Sequence, residues 1–138
     1  MATAADAELI LKLYELRQEE TLRRARRFLV FDFNPKTVEE LRAVSRDTKS
    51  EYNPHWRQAM SFWEMAASLV HRGAIDADLF LDSNVEGILI HAKFHHFHAE
   101  TEKQSGSPFM AQTAALIAKY PAAQGRYEMF LKNVGVAT

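Results

Sequence analysis

Between Trp56 and Val70 the chain repeats apolar side chains at steps of four and three (Trp56, Met60, Trp63, Ala67, Val70), while Ala59, Phe62, Ala66 and Leu69 widen the same face to well over half of a helix's circumference. A helix that apolar is stable in water only when neighbours cover it on several sides, so the pattern predicts a central helix and a fold of helices built around it. Asn53-Pro54 supplies its start, an N-cap residue before a proline at the first helical position, and Gly73 its end, where the left-handed conformation is tolerated.

The rest of the chain reads the same way. Leu9, Leu13, Leu16, Phe28 and Leu29 recur at helical intervals, predicting one long helix from Asp6 to about Val30, with Phe31 to Phe33 briefly extended before Asn34-Pro35 stops it. Thr37 and Glu40 form a capping box for a helix from Val38 to about Asp47. Ile75-Asp76 opens a short helical turn through Leu81. Ser83 and Glu86 make a second capping box, for a helix from about Asn84 to Lys103 with two apolar faces: Val85, Ile88, Leu89, Ala92 and Ala99 on one, Ile90, Phe94 and Phe97 on the other. Ser107-Pro108 starts a helix through about Lys119; Pro121 breaks it, and Ala122 to Val134 forms a last short helix.

No segment alternates as a strand would, and no internal repeat is present. The expected fold is all-α: an irregular bundle of four to six helices around a single core, one domain over 1–138 with frayed ends at about 1–5 and 135–138. A chain of 138 residues is long enough to bury roughly two thirds of the surface it exposes when unfolded, so no staple is needed.

None is available either, because the chain has no cysteine, which excludes disulfides, thiolate metal sites and cysteine nucleophiles and points to the cytoplasm. Seventeen basic against eighteen acidic side chains provide no general field to attract nucleic acid or an anionic membrane. The segment Met1 to Ala7 lacks a signal-peptide pattern, and no stretch approaches the about 20 apolar residues of a membrane span.

Phe62-Trp63-Glu64-Met65-Ala66-Ala67-Ser68-Leu69-Val70, then Gly73-Ala74-Ile75-Asp76-Ala77-Asp78-Leu79, then Gly106-Ser107-Pro108 resembles an uncharacterised bacterial helical domain, classed as a domain of unknown function. The resemblance covers roughly Trp56 to Phe130. Many members of that family carry a membrane-spanning segment ahead of the domain, a feature this sequence departs from. The resemblance implies a helical fold and no particular reaction, substrate or catalytic residue.

Three constellations could carry chemistry. His91, His95, His98 and Glu102 follow one another at steps of four, three and four, within a stripe of about sixty degrees on one continuous helix. Neutral imidazoles a turn apart can share a first-row transition metal, with the carboxylate completing the shell; His96 lies off the stripe. The competing reading is a half-exposed seam, and neither Glu-x-x-His nor His-Glu-x-x-His occurs.

The second stripe is Arg57, Ser61, Glu64, Ser68 and His71. Glu64 borders an apolar arc and needs a partner; it is either an acid or base facing a histidine of the Asn84 to Lys103 helix, or a carboxylate clamping a neighbouring helix through an arginine or a backbone amide, and His71 carries the same choice between a structural and an acid–base role. Third, Arg23, Arg24, Arg26 and Arg27 form the one dense basic run. It could meet phosphates or an anionic lipid surface, but Glu19 and Glu20 stand four residues before Arg23 and Arg24, where helical ion pairs would neutralise it. The glycines stand singly and form no phosphate loop, and no nucleophile motif is present.

The first functional reading is therefore a noncatalytic helical interaction or regulatory domain that associates with itself or another protein. The second is a metal-binding helical protein or metalloenzyme using the histidine stripe; the third is an adaptor for anionic membranes or nucleic acid through Arg23 to Arg27.

Overall fold

The run centred on Trp63 forms a 19-residue helix, Asn53–His71, and its apolar face is buried, Trp63 being 2 % exposed and Phe62 7 %. Trp56, near its start, is half-buried among the rings of Phe33, Phe94 and Phe109. The structure, a computed structural model, describes residues 1–134; the fraying expected at 135–138 lies outside the described residues.

Among the described residues there are nine α-helices and no strand. They are α1 (Ala4–Arg17), α2 (Glu20–Arg27), α3 (Val38–Ser45), α4 (Asn53–His71), α5 (Ala77–Leu81), α6 (Glu86–Lys93), α7 (His98–Ser105), α8 (Ala111–Lys119) and α9 (Pro121–Asn133). Buried apolar residues from Leu13 to Ala123 form one cluster. The α4 helix packs against α2, α3, α6 and α8, and α9 lies across α6 and α8. No helix among the described residues is long and apolar enough to cross a membrane.

The all-α class is as expected, but the helices outnumber the predicted four to six because two of those predicted are broken and the short turn through Leu81 forms a helix of its own, α5. The first break is at Glu19, whose extended backbone (φ −62°, ψ 138°) ends α1 and whose carboxylate caps α2 by accepting from Leu22 N at 3.0 Å. Past α2 the chain does not become extended at Phe31; Phe28–Asp32 forms a π-helical turn instead, closed by Phe33 N donating to the Phe28 carbonyl at 2.8 Å. Lys93 explains why so wide a turn persists: its ammonium crosses from α6 to donate to the carbonyls of Leu29 (2.6 Å) and Val30 (3.3 Å), which α-helical continuation would have satisfied.

The second break follows α6. Phe94 departs from helical geometry (φ −94°, ψ 16°), and a 3₁₀ turn, His95–Phe97, leads into α7. The one continuous helix expected over Asn84 to Lys103 is thus two, and at the break the buried Phe94 ring packs against Trp56 and Phe109.

Caps were also redistributed. Thr37 caps α3, but Glu40 reaches back to Lys36 N (2.7 Å), one residue before the expected amide. Asn53 does not cap α4; its side-chain amide donates to the Val44 carbonyl at 2.7 Å and ties the end of α3 to α4. Glu86 ignores Ser83, and α6 starts without a side-chain cap. Helix α8 starts at Ala111, three residues after Pro108, because Met110 adopts a left-handed backbone (φ 48°) at its cap position. At the N-terminus α1 already begins at Ala4, fixed by the Thr3–Asp6 capping box.

Candidate functional site

The break after Phe94 decides the fate of the histidine stripe. His91 stays on α6, 6 % exposed, while His95 enters the 3₁₀ turn and His98 opens α7. The three rings still meet, with centroids 4.3 Å apart for His91 and His98 and 5.4 Å for His95 and His98. Tyr127 of α9 closes over them, 5.2 Å from the His91 ring and with its hydroxyl 3.1 Å from His95 Nδ1. His98 stacks on Phe109 at 4.8 Å, and His96 is exposed.

The fourth member of the stripe is engaged elsewhere. Glu102 Oε2 accepts from Phe109 N at 3.2 Å and closes the α7–α8 connection. Among the described residues no three histidine, aspartate or glutamate side chains are arranged to hold a metal ion. What the cluster does have is neutrality. Burial first, then neighbouring His98, pushes His91 down to about 3, and burial takes His98 to about 4. His91 Nε2 faces the Phe109 carbonyl at 3.2 Å and so carries the hydrogen, leaving Nδ1 as a buried acceptor with no partner among the described residues; His98 Nε2 is buried and unpartnered as well.

On α4, Glu64 Oε1 accepts from Gln112 N (3.0 Å), and Oε2 accepts from Thr113 N (2.9 Å) and Thr113 Oγ1 (2.7 Å). The carboxylate therefore does for α8 what a local N-cap would do, at the positive end of the helix. His71, two turns on, meets the next side chain of that first turn, with its Nε2 2.6 Å from Gln112 Oε1, while Lys119 at the other end of α8 donates to the His71 carbonyl at 2.8 Å. Of the rest of the stripe, Arg57 and Ser61 are exposed, and Ser68 donates to its own helix at the Met65 carbonyl.

The arginine run separates into pairs. Arg24 bonds Glu20 at 2.6 Å, as the spacing predicts. Arg23 does not meet Glu19, which is engaged in capping α2. Arg26 turns inward and forks onto Glu86 (2.7 and 3.1 Å), which also accepts from Trp63 Nε1 at 2.9 Å. Arg23 and Arg27 are exposed and have no ion-pair or side-chain hydrogen-bond partner among the described residues. With Val30 and Phe31 the four arginines line an open pocket of about 380 Å³.

Three roles emerge only in the structure: Glu86 as the shared acceptor of Arg26 and Trp63, Lys93 as the brace of the π-helical turn, and Asp6 as a tether. Asp6, 8 % exposed, accepts from Thr3 N at 2.7 Å and from Asp76 N at 3.0 Å, fastening α1 to the start of α5. The Thr3 backbone amide above all holds its carboxyl below the usual carboxylate range. The Lys93 role had a signal, a lone cation between the apolar Ala92 and Phe94; burial pushes that ammonium down to about 8.

The family DUF4760, a domain of unknown function, matches residues 2–120, and the chain belongs to it. The match starts well before the Trp56 at which the resemblance was read and stops before α9. No curated protein and no solved structure matches the chain.

Proposed function

We propose, from membership in a family with no assigned activity and from the geometry above, that this domain is a noncatalytic interaction module whose partner is a second copy of itself, working in the cytoplasm. The observation that carries the reading is the surface of α1. On this 14-residue helix only Asp6 and Leu13 are buried, while Leu9, Leu11, Tyr14 and Leu16 are 41 %, 64 %, 53 % and 40 % exposed. Leu16 borders a groove of about 330 Å³ walled by Leu22 and Phe62, with Met65 of α4, 44 % exposed, across from it. Leu9 and Leu16 share one row of the helix, the one that borders the groove, while Leu11 and Tyr14 lie on its far side; exposed apolar side chains sharing a face beside a groove are a mark of an interface.

The second copy is favoured by the spacing. Leu9 and Leu16 lie seven residues apart on one row and symmetrically about the Lys12–Leu13 step. An antiparallel copy of α1 would set each Leu9 on the other's Leu16, a self-complementary arrangement of the kind a twofold dimer requires. Lys12, 3.7 Å from Glu15 within the chain, would have a second Glu15 within reach across the axis. The noncatalytic part of the reading is supported by the engagement of the candidate acid–base groups: Glu64 and Glu102 cap backbone amides, and His91 and His98 are held neutral in the core.

Light scattering during size exclusion tests this. The protein should elute at twice the chain mass of 15.8 kDa, and Leu16→Glu should elute as a folded monomer. A wild-type monomer at about 100 µM, a concentration at which even micromolar association would show, overturns the reading.

A further inference from the structure

The arginine pocket is separate from the α1 groove and its chemistry is more selective than a basic patch. It has a fixed floor. Arg26 is held by both carboxylate oxygens of Glu86 and by the Arg17 carbonyl at 3.3 Å, and Glu86 is itself anchored by the buried Trp63. On the rim Arg23 and Arg27 stand one helical turn apart on α2, on the same face, unpaired among the described residues. One wall is apolar. The π-helical turn presents Phe31 to solvent, 69 % exposed, beside half-buried Val30, and Lys93 fixes that turn from behind. A large aromatic ring held in water on a braced, irregular turn is poorly explained by folding, and π-helical turns recur at functional sites.

The lining charges define the ligand. Four arginines against Glu20 and Glu86 leave a surplus of two positive charges, both of them on the unpaired pair. A phosphate monoester at neutral pH carries about two negative charges, and guanidinium forks match its oxygens. Glu20 lines the pocket beside the arginines, so a long polyanion running past it would meet repulsion where a single phosphate would not. The open ring of Phe31 offers a face for stacking a flat group. We propose that this pocket binds a small phosphate monoester carrying a flat ring, with Arg23 and Arg27 gripping the phosphate and Phe31 stacking on the ring.

Isothermal titration of the full chain with adenosine 5′-monophosphate, adenosine and inorganic phosphate tests the assignment. Adenosine monophosphate should bind with a Kd below about 1 mM, and phosphate alone at least about tenfold more weakly, because it lacks the stacking contribution. Arg23→Gln and Arg27→Gln should each weaken binding about tenfold and Phe31→Ala about fivefold. All three side chains are exposed, so the variants should keep the wild-type circular dichroism spectrum. No heat of binding up to about 5 mM nucleotide, phosphate binding as tightly as the nucleotide, or arginine variants that bind as wild type would overturn the proposal.

Discussion

Glu64 shows how a single carboxylate can look catalytic in a sequence and be architectural in the structure. It receives two backbone amides and a hydroxyl from the first turn of α8, so Glu64→Gln, which turns one acceptor into a donor facing those amides, should lower stability in urea by about 1–3 kcal/mol. The buried imidazoles make a different prediction. His91 and His98 titrate near 3 and 4 when folded, below the roughly 6.5 of an unfolded histidine, so the unfolded chain takes up protons first. Their contribution is complete above about pH 6.5 and is lost as the pH falls toward 3. The groups facing them are His95, Tyr127 from α9 and Glu102; the Phe109 carbonyl on His91, and the His91 backbone and then Glu102 on His98, offset only part of the cost of a positive charge there. The unfolding free energy from urea titrations should therefore drop steeply between pH 6.5 and 4, by an amount on the order of a few kcal/mol, and His91→Gln should flatten that slope.

At the scale of elements, the crossing of α4 and α6 is set by Gly87, where an added Cβ would lie 3.2 Å from Trp63 Cβ and 3.4 Å from Cγ. Alanine would gain about 1 kcal/mol of helix propensity there. Trp63, however, is 2 % exposed and bonded to Glu86, so it cannot yield, and Gly87→Ala should give a net loss of about 1 kcal/mol in thermal or urea denaturation. The α4 helix was legible because its signal, an apolar face over many turns, is the strongest that a sequence carries. The breaks at Glu19 and Phe94 were not, since each occurs within good helix-forming sequence: Glu19 is a weak cap residue that nonetheless caps α2 locally, and Phe94 answers a packing demand, filling the space between Trp56 and Phe109. The same breaks remade the candidate sites. They kept three histidine rings together while Glu102 went to a backbone amide, and they freed Arg23 from its expected partner.

For the whole molecule, the picture is of a rigid core centred on α4, closed by polar ties between its elements, with α1 lying on it through little more than Asp6, Leu13 and the half-buried Ile10 and Arg17. Leu9 and Leu16 are left 41 % and 40 % exposed on it, and these are the side chains that the proposed contact with a second copy would cover. Because the chain has no cysteine, single thiols report this contact cleanly. Leu9→Cys and Leu16→Cys proteins, mixed under mild oxidation, should form the mixed disulfide within minutes, while Gly125→Cys on exposed α9 should remain monomeric. Mixed Leu9–Leu16 crosslinking no faster than that of the Gly125 control would contradict self-association through α1.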